Sequence, residues 1–308
     1  MIRLGTRGSA LALAQAQWVA ERLPGEVEIV PIRTAGDERP RGTPEPADKS
    51  RFVKEIEEAL LRGDIDVAVH SAKDMPADFP AGLLLFALPG RADPRDALCG
   101  AGSLDELAEG AVVGTSSLRR RALLLALRPD LDVRELRGNV DTRLRRLAEG
   151  DFDAIVLAQA GLDRLGRSGE GAPLDPSVFV PAAGQGWLAV QVRDADEAGN
   201  RALREFPGMY GVREHFSKDA ELDEERSVVR LLGATCNTPI AAHAVVGEEF
   251  IAMTAFVGLP DGSRWIRDEL KMKMPDGIDL LGRHVAERLQ QAGADELLAD
   301  AERFAAAS

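Results

Sequence analysis

Cysteine and tyrosine are nearly absent from this chain, with two Cys and one Tyr in 308 residues. Cys99 and Cys236 stand far apart without metal-ligand spacing, so neither a disulfide framework nor a zinc cluster is encoded, and a reducing cytoplasm is expected. No apolar run is long enough to cross a bilayer, and the first residues go straight into a strand pattern without the features of a signal peptide. Positive charge is in deficit: the net charge is −13, which argues against nucleic acid or an anionic membrane as partner. Lysine is scarce, with six among the 38 Lys and Arg. The dinucleotide, P-loop, zinc-protease and serine-hydrolase signatures are missing, and His70, His215, His243 and His284 form no ligand pair at helical spacing. Neither a nucleotide nor a metal is supported.

Alternating strand-like and helix-like segments are present instead, from residue 1 to about 90. The patterns predict strands at Ile2–Gly5, Val27–Arg33 and Ile65–His70, with helices over Ala10–Arg22 and Phe52–Arg62. Between them lies Gly36–Ser50, rich in Pro, Gly and charge and read as a mobile loop. A second run, 92–182, repeats the alternation with strands near Ala111–Gly114, Leu131–Leu136 and Ala154–Leu157. Its helices are Ser117–Leu127 and Val140–Glu149. Pro- and Gly-bearing segments flank this run at 88–94 and 180–186, and a strand-like return, Leu188–Val192, follows. Two α/β lobes with mixed, mostly parallel sheets account for this pattern, one from 1–90 plus 187–205 and the other from 92–182. Polar loops at strand ends would face one another across a cleft. From 209 to 308 the helix Ala220–Leu231, strands Ile240–Val246, Phe250–Gly258 and Arg264–Leu270, and helix Leu280–Ala292 describe a small α+β domain.

Arginine placement carries most of the chemistry. In Val112–Arg121 a buried strand runs through Thr115, Ser116 and Ser117 into a helix whose first turn holds Arg119, Arg120 and Arg121. Thr115 or Ser116 is the expected N-cap. Cations in a first turn oppose the helix dipole, and a bound anion would offset that. The same strand–turn–helix plan recurs at Gly5–Ser9, with Arg7 and Ser9, and at Arg137–Arg143, with Gly138 and Asn139. A set including Arg7, Arg119, Arg120, Arg137 and Arg143 suits a small ligand with several carboxylates. Each arginine taken singly is equally well a surface ion pair. Asp74, in the loop His70-Ser71-Ala72-Lys73-Asp74, is the candidate carboxylate for a developing cation or an N–H donor, or else a local partner of Lys73. Cys236 is either a buried inert thiol or a covalent nucleophile.

The landmarks GTRGSALAL from Gly5, FVKE from Phe52, AVHSAKD from Ala68, DPRDAL from Asp93, VGTSSLRR from Val113, LRGNVDTRL from Leu136, AGQG from Ala183 and C-x-x-P-I from Cys236 span nearly the whole chain. Collinear in this order, they resemble the hydroxymethylbilane synthase (porphobilinogen deaminase) family. The resemblance implies two type II periplasmic-binding-protein-like lobes plus the C-terminal domain. It implies a usually monomeric transferase of tetrapyrrole (haem) biosynthesis that joins four porphobilinogen molecules head to tail with loss of ammonia. It also implies a dipyrromethane cofactor in thioether linkage to Cys236. On this basis Asp74 is the catalytic carboxylate. Ser71, Lys73, Thr115, Ser116, Ser117, Arg119, Arg120, Arg137, Gly138, Asn139, Arg143 and Gln185 contact the cofactor, and Arg7, Ser9 and Arg164 contact substrate. The family's Gly-Gly-Lys-Gly loop reads Ala47-Asp48-Lys49-Ser50 here. Two rival readings are a two-lobed anion-binding protein without catalysis and an enzyme using Lys73 as a Schiff-base amine.

Overall fold

A computed structural model describes residues 1–33, 53–76, 79–208, 220–234 and 238–307. The chain divides into two compact units, Met1–Ala92 with Gly186–Asp219, and Asp93–Gln185 with Ala220–Ser308. The Gly36–Ser50 loop with Lys49, and Cys236, lie outside the described residues.

In the first unit β1 (Ile2–Arg7), α1 (Ala10–Ala20), β2 (Val27–Ile32), α2 (Lys54–Arg62), β3 (Val67–Ser71) and β4 (Leu83–Ala87) follow in turn. In the second unit come β5 (Asp96–Cys99), β6 (Val112–Gly114), α3 (Leu118–Leu127), β7 (Asp132–Arg134), α4 (Val140–Ala148), β8 (Ala154–Ala158), α5 (Gln159–Arg164) and β9 (Ala172–Pro173). The chain then rejoins the first unit as β10 (Leu188–Arg193) and α6 (Glu197–Arg204). It closes in the second with α7 (Ala220–Leu231), β11 (Ile240–Val246), β12 (Phe250–Gly258), β13 (Trp265–Lys273), α8 (Leu281–Gln291) and α9 (Ala294–Ala307).

The two five-stranded sheets share one plan. Their orders are β2-β1-β3-β10-β4 and β7-β6-β8-β5-β9. The first three positions pair in parallel, and the fourth strand is antiparallel to both its neighbours. That fourth strand is the returning β10 in one sheet and the entering β5 in the other. Four strands of each sheet therefore point one way, as the mixed, mostly parallel reading expects. The result is a pair of mixed, mostly parallel α/β sheets built on one plan.

Alternation along β3 explains the layering of the first unit. Val67 and Val69 join Leu4, Val190 and Val192 beneath Ala16 and Val19 of α1 and Leu203 of α6. Ala68 faces the other way, onto Ile56 and Leu60 of α2. The two chain crossings touch where Ala92 N–H donates to the Gly186 carbonyl at 3.2 Å. Gly186 has φ +93°, and a Cβ there would lie 2.4 Å from the Ala92 oxygen, so this junction requires glycine.

In the second unit β11-β12-β13 forms an antiparallel meander. Ala242, Ala244, Met253 and Ala255 on one face pack under Val228, Val285, Leu289 and Leu298 of the three last helices. Ala241 and Phe256 on the other face share a core with Leu123 and Leu124 of α3. The helix α9 is a finding beyond the sequence patterns: Leu297, Leu298 and Ala301 are buried on it in an otherwise Ala- and Glu-rich tail.

Candidate active site

The turn after β6 is extended through Ser117, which has φ −88° and ψ 118°. The helix starts at Leu118, so Ser117 is the N-cap and its Oγ accepts from Arg120 N–H at 3.4 Å. This corrects the expectation of Thr115 or Ser116. Thr115 Oγ1 instead accepts from Ser117 N–H at 3.2 Å, holding the turn one step earlier.

Arg119 and Arg120, both buried, converge on Asp96 of β5, which is completely enclosed. Arg119 Nη1 and Nη2 lie 2.7 and 3.1 Å from the two carboxylate oxygens, and Nη1 also donates to the Val180 carbonyl at 2.6 Å. Arg120 Nε donates to Asp96 Oδ1 at 2.9 Å, and its Nη1 to the Val156 carbonyl at 2.8 Å. Gln185 Nε2 adds a bond to the same oxygen at 3.1 Å and one to the Pro94 carbonyl at 2.7 Å. The chain itself thus supplies an anion beside the arginine-rich first turn, and two guanidinium charges meet one carboxylate, so the cluster stays cationic.

The neighbouring α4 turn joins this loop. Gly138, at φ +115°, offers its carbonyl to Arg143 Nε at 2.7 Å, and Arg143 Nη2 reaches Ser116 Oγ at 3.4 Å. Asn139 holds the N-cap position without a side-chain bond. Arg137 turns away to an exposed pair with Glu135 at 2.7 Å. On α5, burial pulls the Arg164 guanidinium down to about 10, against the opposing charge of Asp163, so it remains cationic at neutral pH.

In the first unit β3 ends at Ser71 and leads into a single 3-10 turn, Ala72–Asp74, that carries Lys73 and Asp74. Ala72 N–H donates to the Trp187 carbonyl at 3.1 Å, and Met75 N–H closes the turn onto Ala72 at 3.2 Å. Ser71 Oγ takes a bond from Gln15 Nε2 at 3.0 Å. Arg7 ends β1, and Ser9 caps α1 by accepting from Ala12 N–H at 3.3 Å.

Asp96 and Gln15, to which sequence reasoning gave no role, bond candidate site residues. Both carried a signal: a carboxylate in the apolar strand Asp96–Cys99, and a buried amide within a helix of alanines and leucines. Cys99, by contrast, is buried with its thiol pushed up to about 11, mainly by burial, which leaves it inert at neutral pH. Among the described residues no group of three or more His, Cys, Asp or Glu is placed to hold a metal ion, and no helix is long and apolar enough to cross a membrane.

By topology the protein is of the two-lobed, periplasmic-binding-protein-like α/β class, with an added α+β portion. Residues 2–201 match the family described as porphobilinogen deaminase, dipyromethane cofactor binding domain, and residues 220–291 match the porphobilinogen deaminase C-terminal domain. The chain belongs to the porphobilinogen deaminase family. It is 43% identical over 308 residues to the porphobilinogen deaminase of Brevibacillus brevis, covering 97% of this chain and 96% of that one. With the Thermus thermophilus protein of the same name it shares 44% over 311 residues, covering 97% and 98%. With that of Deinococcus radiodurans it shares 42% over 309 residues, covering 96% and 97%. Among solved structures, an ABC transporter protein from Parabacteroides distasonis aligns with TM-score 0.41 and 15% identity, over 74% of this chain and 76% of the other.

Proposed function

We propose that this chain is a hydroxymethylbilane synthase that releases ammonia from porphobilinogen and joins four such units head to tail, with Asp74 as its catalytic carboxylate and Cys236 as the attachment point of its cofactor. The observation that carries the reading is the donor set on the β6–α3 and β8–α5 side of the second unit. Porphobilinogen bears an acetate and a propionate, so a dipyrromethane built from it bears four carboxylates. The cationic cluster of Arg119 and Arg120, Arg143 with Ser116, the hydroxyls of Thr115 and Ser117, and the still-charged Arg164 have the chemistry to hold them. The residues present fit the group. When bound, dipyrromethane supplies the free pyrrole position to which the first substrate is joined.

On this reading the residues of the chain divide the work. Guanidiniums orient carboxylates bidentately, which sets the register of each pyrrole. By resemblance to the family we also assign Arg7, Ser9, Ser71 and Lys73 of the first unit and Arg137, Gly138, Asn139 and Gln185 of the second to contacts with substrate and cofactor. Asp74, as the carboxylate, accepts pyrrole N–H groups, assists departure of ammonia from the protonated aminomethyl group and stabilises the azafulvene cation left behind. A carboxylate on a short turn pinned at Ala72 and Met75 suits that task because little reorganisation is needed. We read residues 1–90 with 187–205, 92–182 and 209–308 as the three domains, and the enzyme as a cytoplasmic monomer. The separate C-terminal family match and the meander at β11–β13 support the third domain.

Intact mass of the purified protein tests the proposal. The native chain should exceed its sequence mass by one dipyrrole unit, and Cys236→Ala should lack that increment. A wild-type mass without the increment, together with no conversion of porphobilinogen, would instead favour a binding protein.

A further inference from the structure

Three polar side chains are buried on the α2 face of the first sheet, one from each of three elements. Glu57 belongs to α2, Gln191 to β10 and His70 to β3, and all three are at most 6% exposed. Their neighbours are apolar: Ile56, Leu60, Ile65 and Ala68 fill the same layer. The antiparallel register sets Gln191 opposite Ala68 and Ala189 opposite His70, so Gln191 and His70 lie diagonally on one face. Gln191 Nε2 donates to Glu57 Oε1 at 2.9 Å. Among the described residues, its Oε1 and the His70 Nε2 are both buried without a hydrogen-bond partner. They are complementary in kind, an amide acceptor and a ring nitrogen that can donate, and Gln191 acts on the imidazole against the effect of its burial. The negative charge of Asp74 also acts on the imidazole, against the effect of burial.

We propose that Glu57, Gln191 and His70 form a buried polar brace that positions Asp74, with His70 as its last member. The inference rests on the reading of Asp74 as the catalytic carboxylate. Both supports of the Asp74 turn come from the same pair of strands, since Ala72 N–H is held by the Trp187 carbonyl just ahead of β10. A brace between β3 and β10 next to that bond fixes where β3 hands over to the turn. Burial pushes the His70 imidazole down to about 4, which keeps it neutral in the working range. A neutral ring places no buried cation next to the turn that carries Asp74. Burial likewise raises Glu57 above the usual carboxylate range, against its bond from Gln191.

Steady-state kinetics on the cofactor-loaded enzyme test this with His70→Phe, Gln191→Leu, Glu57→Leu, Glu57→Gln and the double His70→Phe/Gln191→Leu. Loss of positioning predicts a kcat about tenfold lower for His70→Phe and for Gln191→Leu, with KM for porphobilinogen within about threefold. Glu57→Leu should show the same split, and Glu57→Gln, which can still accept from Gln191, should recover most of the loss. The double variant should fall little further than the worse single one, because the residues act as one line. If His70→Phe does not fold, the Gln191 and Glu57 variants decide. Native kcat in these variants, or losses that multiply in the double, would overturn the brace. Asp74→Asn run in parallel separates the two ideas. An inactive Asp74→Asn beside native-like brace variants overturns the brace alone, and a fully active Asp74→Asn overturns the role of Asp74 itself.

Discussion

Arg119 meets Asp96 end on, Nη1 2.7 Å from one carboxylate oxygen and Nη2 3.1 Å from the other, with the aspartate sealed from solvent. Arg120 shares the same carboxylate. On the proposed reading these guanidiniums are offered to a polyanion, and a buried shared counter-ion holds them in place before it arrives.

Asp96→Ala should therefore destabilise the protein by about 3–5 kcal/mol, because it strands two buried guanidiniums. Urea unfolding at pH 7 would measure it. A loss below about 1 kcal/mol, the size of an exposed pair, would show that Asp96 is not the anchor.

Asp74→Asn should keep the native melting temperature while lowering kcat by about a hundredfold or more, the usual range for a positioned acid–base group. Arg119→Ala and Arg120→Ala should also reduce the fraction of protein carrying the dipyrrole mass increment. Ordinary adduct levels in both variants would remove these two residues from cofactor binding.

His70 predicts an acid-side instability of its own. Its imidazole lies at about 4 in the folded chain against 6.5 ordinarily. Between those values the unfolded chain binds the extra proton, so stability is full above about pH 6.5 and falls as the pH is lowered, losing about 3 kcal/mol by pH 4. Comparing urea unfolding of the native protein and His70→Phe at pH 7 and pH 4.5 checks it: the variant should show the shallower decline.

Asp66 titrates with the opposite chemistry and the same sign. Burial raises its carboxyl, but bonds from Arg3, through side chain and backbone, and from Arg193 outweigh this and hold it below the usual range. Its contribution is present above the ordinary aspartate value near 4 and is lost as the pH falls through the lower folded value. Asp66→Asn should cost about 1 kcal/mol at pH 7, the pair being partly screened by solvent, and the gap should close at lower pH.

Much of the molecule could be read along the chain. Alternation in Ile65–His70 and Leu188–Val192, helical periodicity in Lys54–Arg62, and the Gly-bearing turns after strands are local signals, and the corresponding elements appear within a few residues of their expected places. The short strand β5 was not anticipated, since four apolar-rich residues carry too little period to distinguish them from a loop. The cap moved to Ser117 because three hydroxyl residues in a row are equivalent in sequence, and only the extended backbone selects among them. The sequence alone determined the two repeated α/β runs, the arginines at their turns and the family motifs, because each is written in neighbouring residues. Only the tertiary structure decided that Asp96 would gather Arg119, Arg120 and Gln185, and that Glu57, Gln191 and His70 would meet. Those groups are up to 134 residues apart, and it is strand pairing, closed by long-range burial, that brings them within hydrogen-bonding reach.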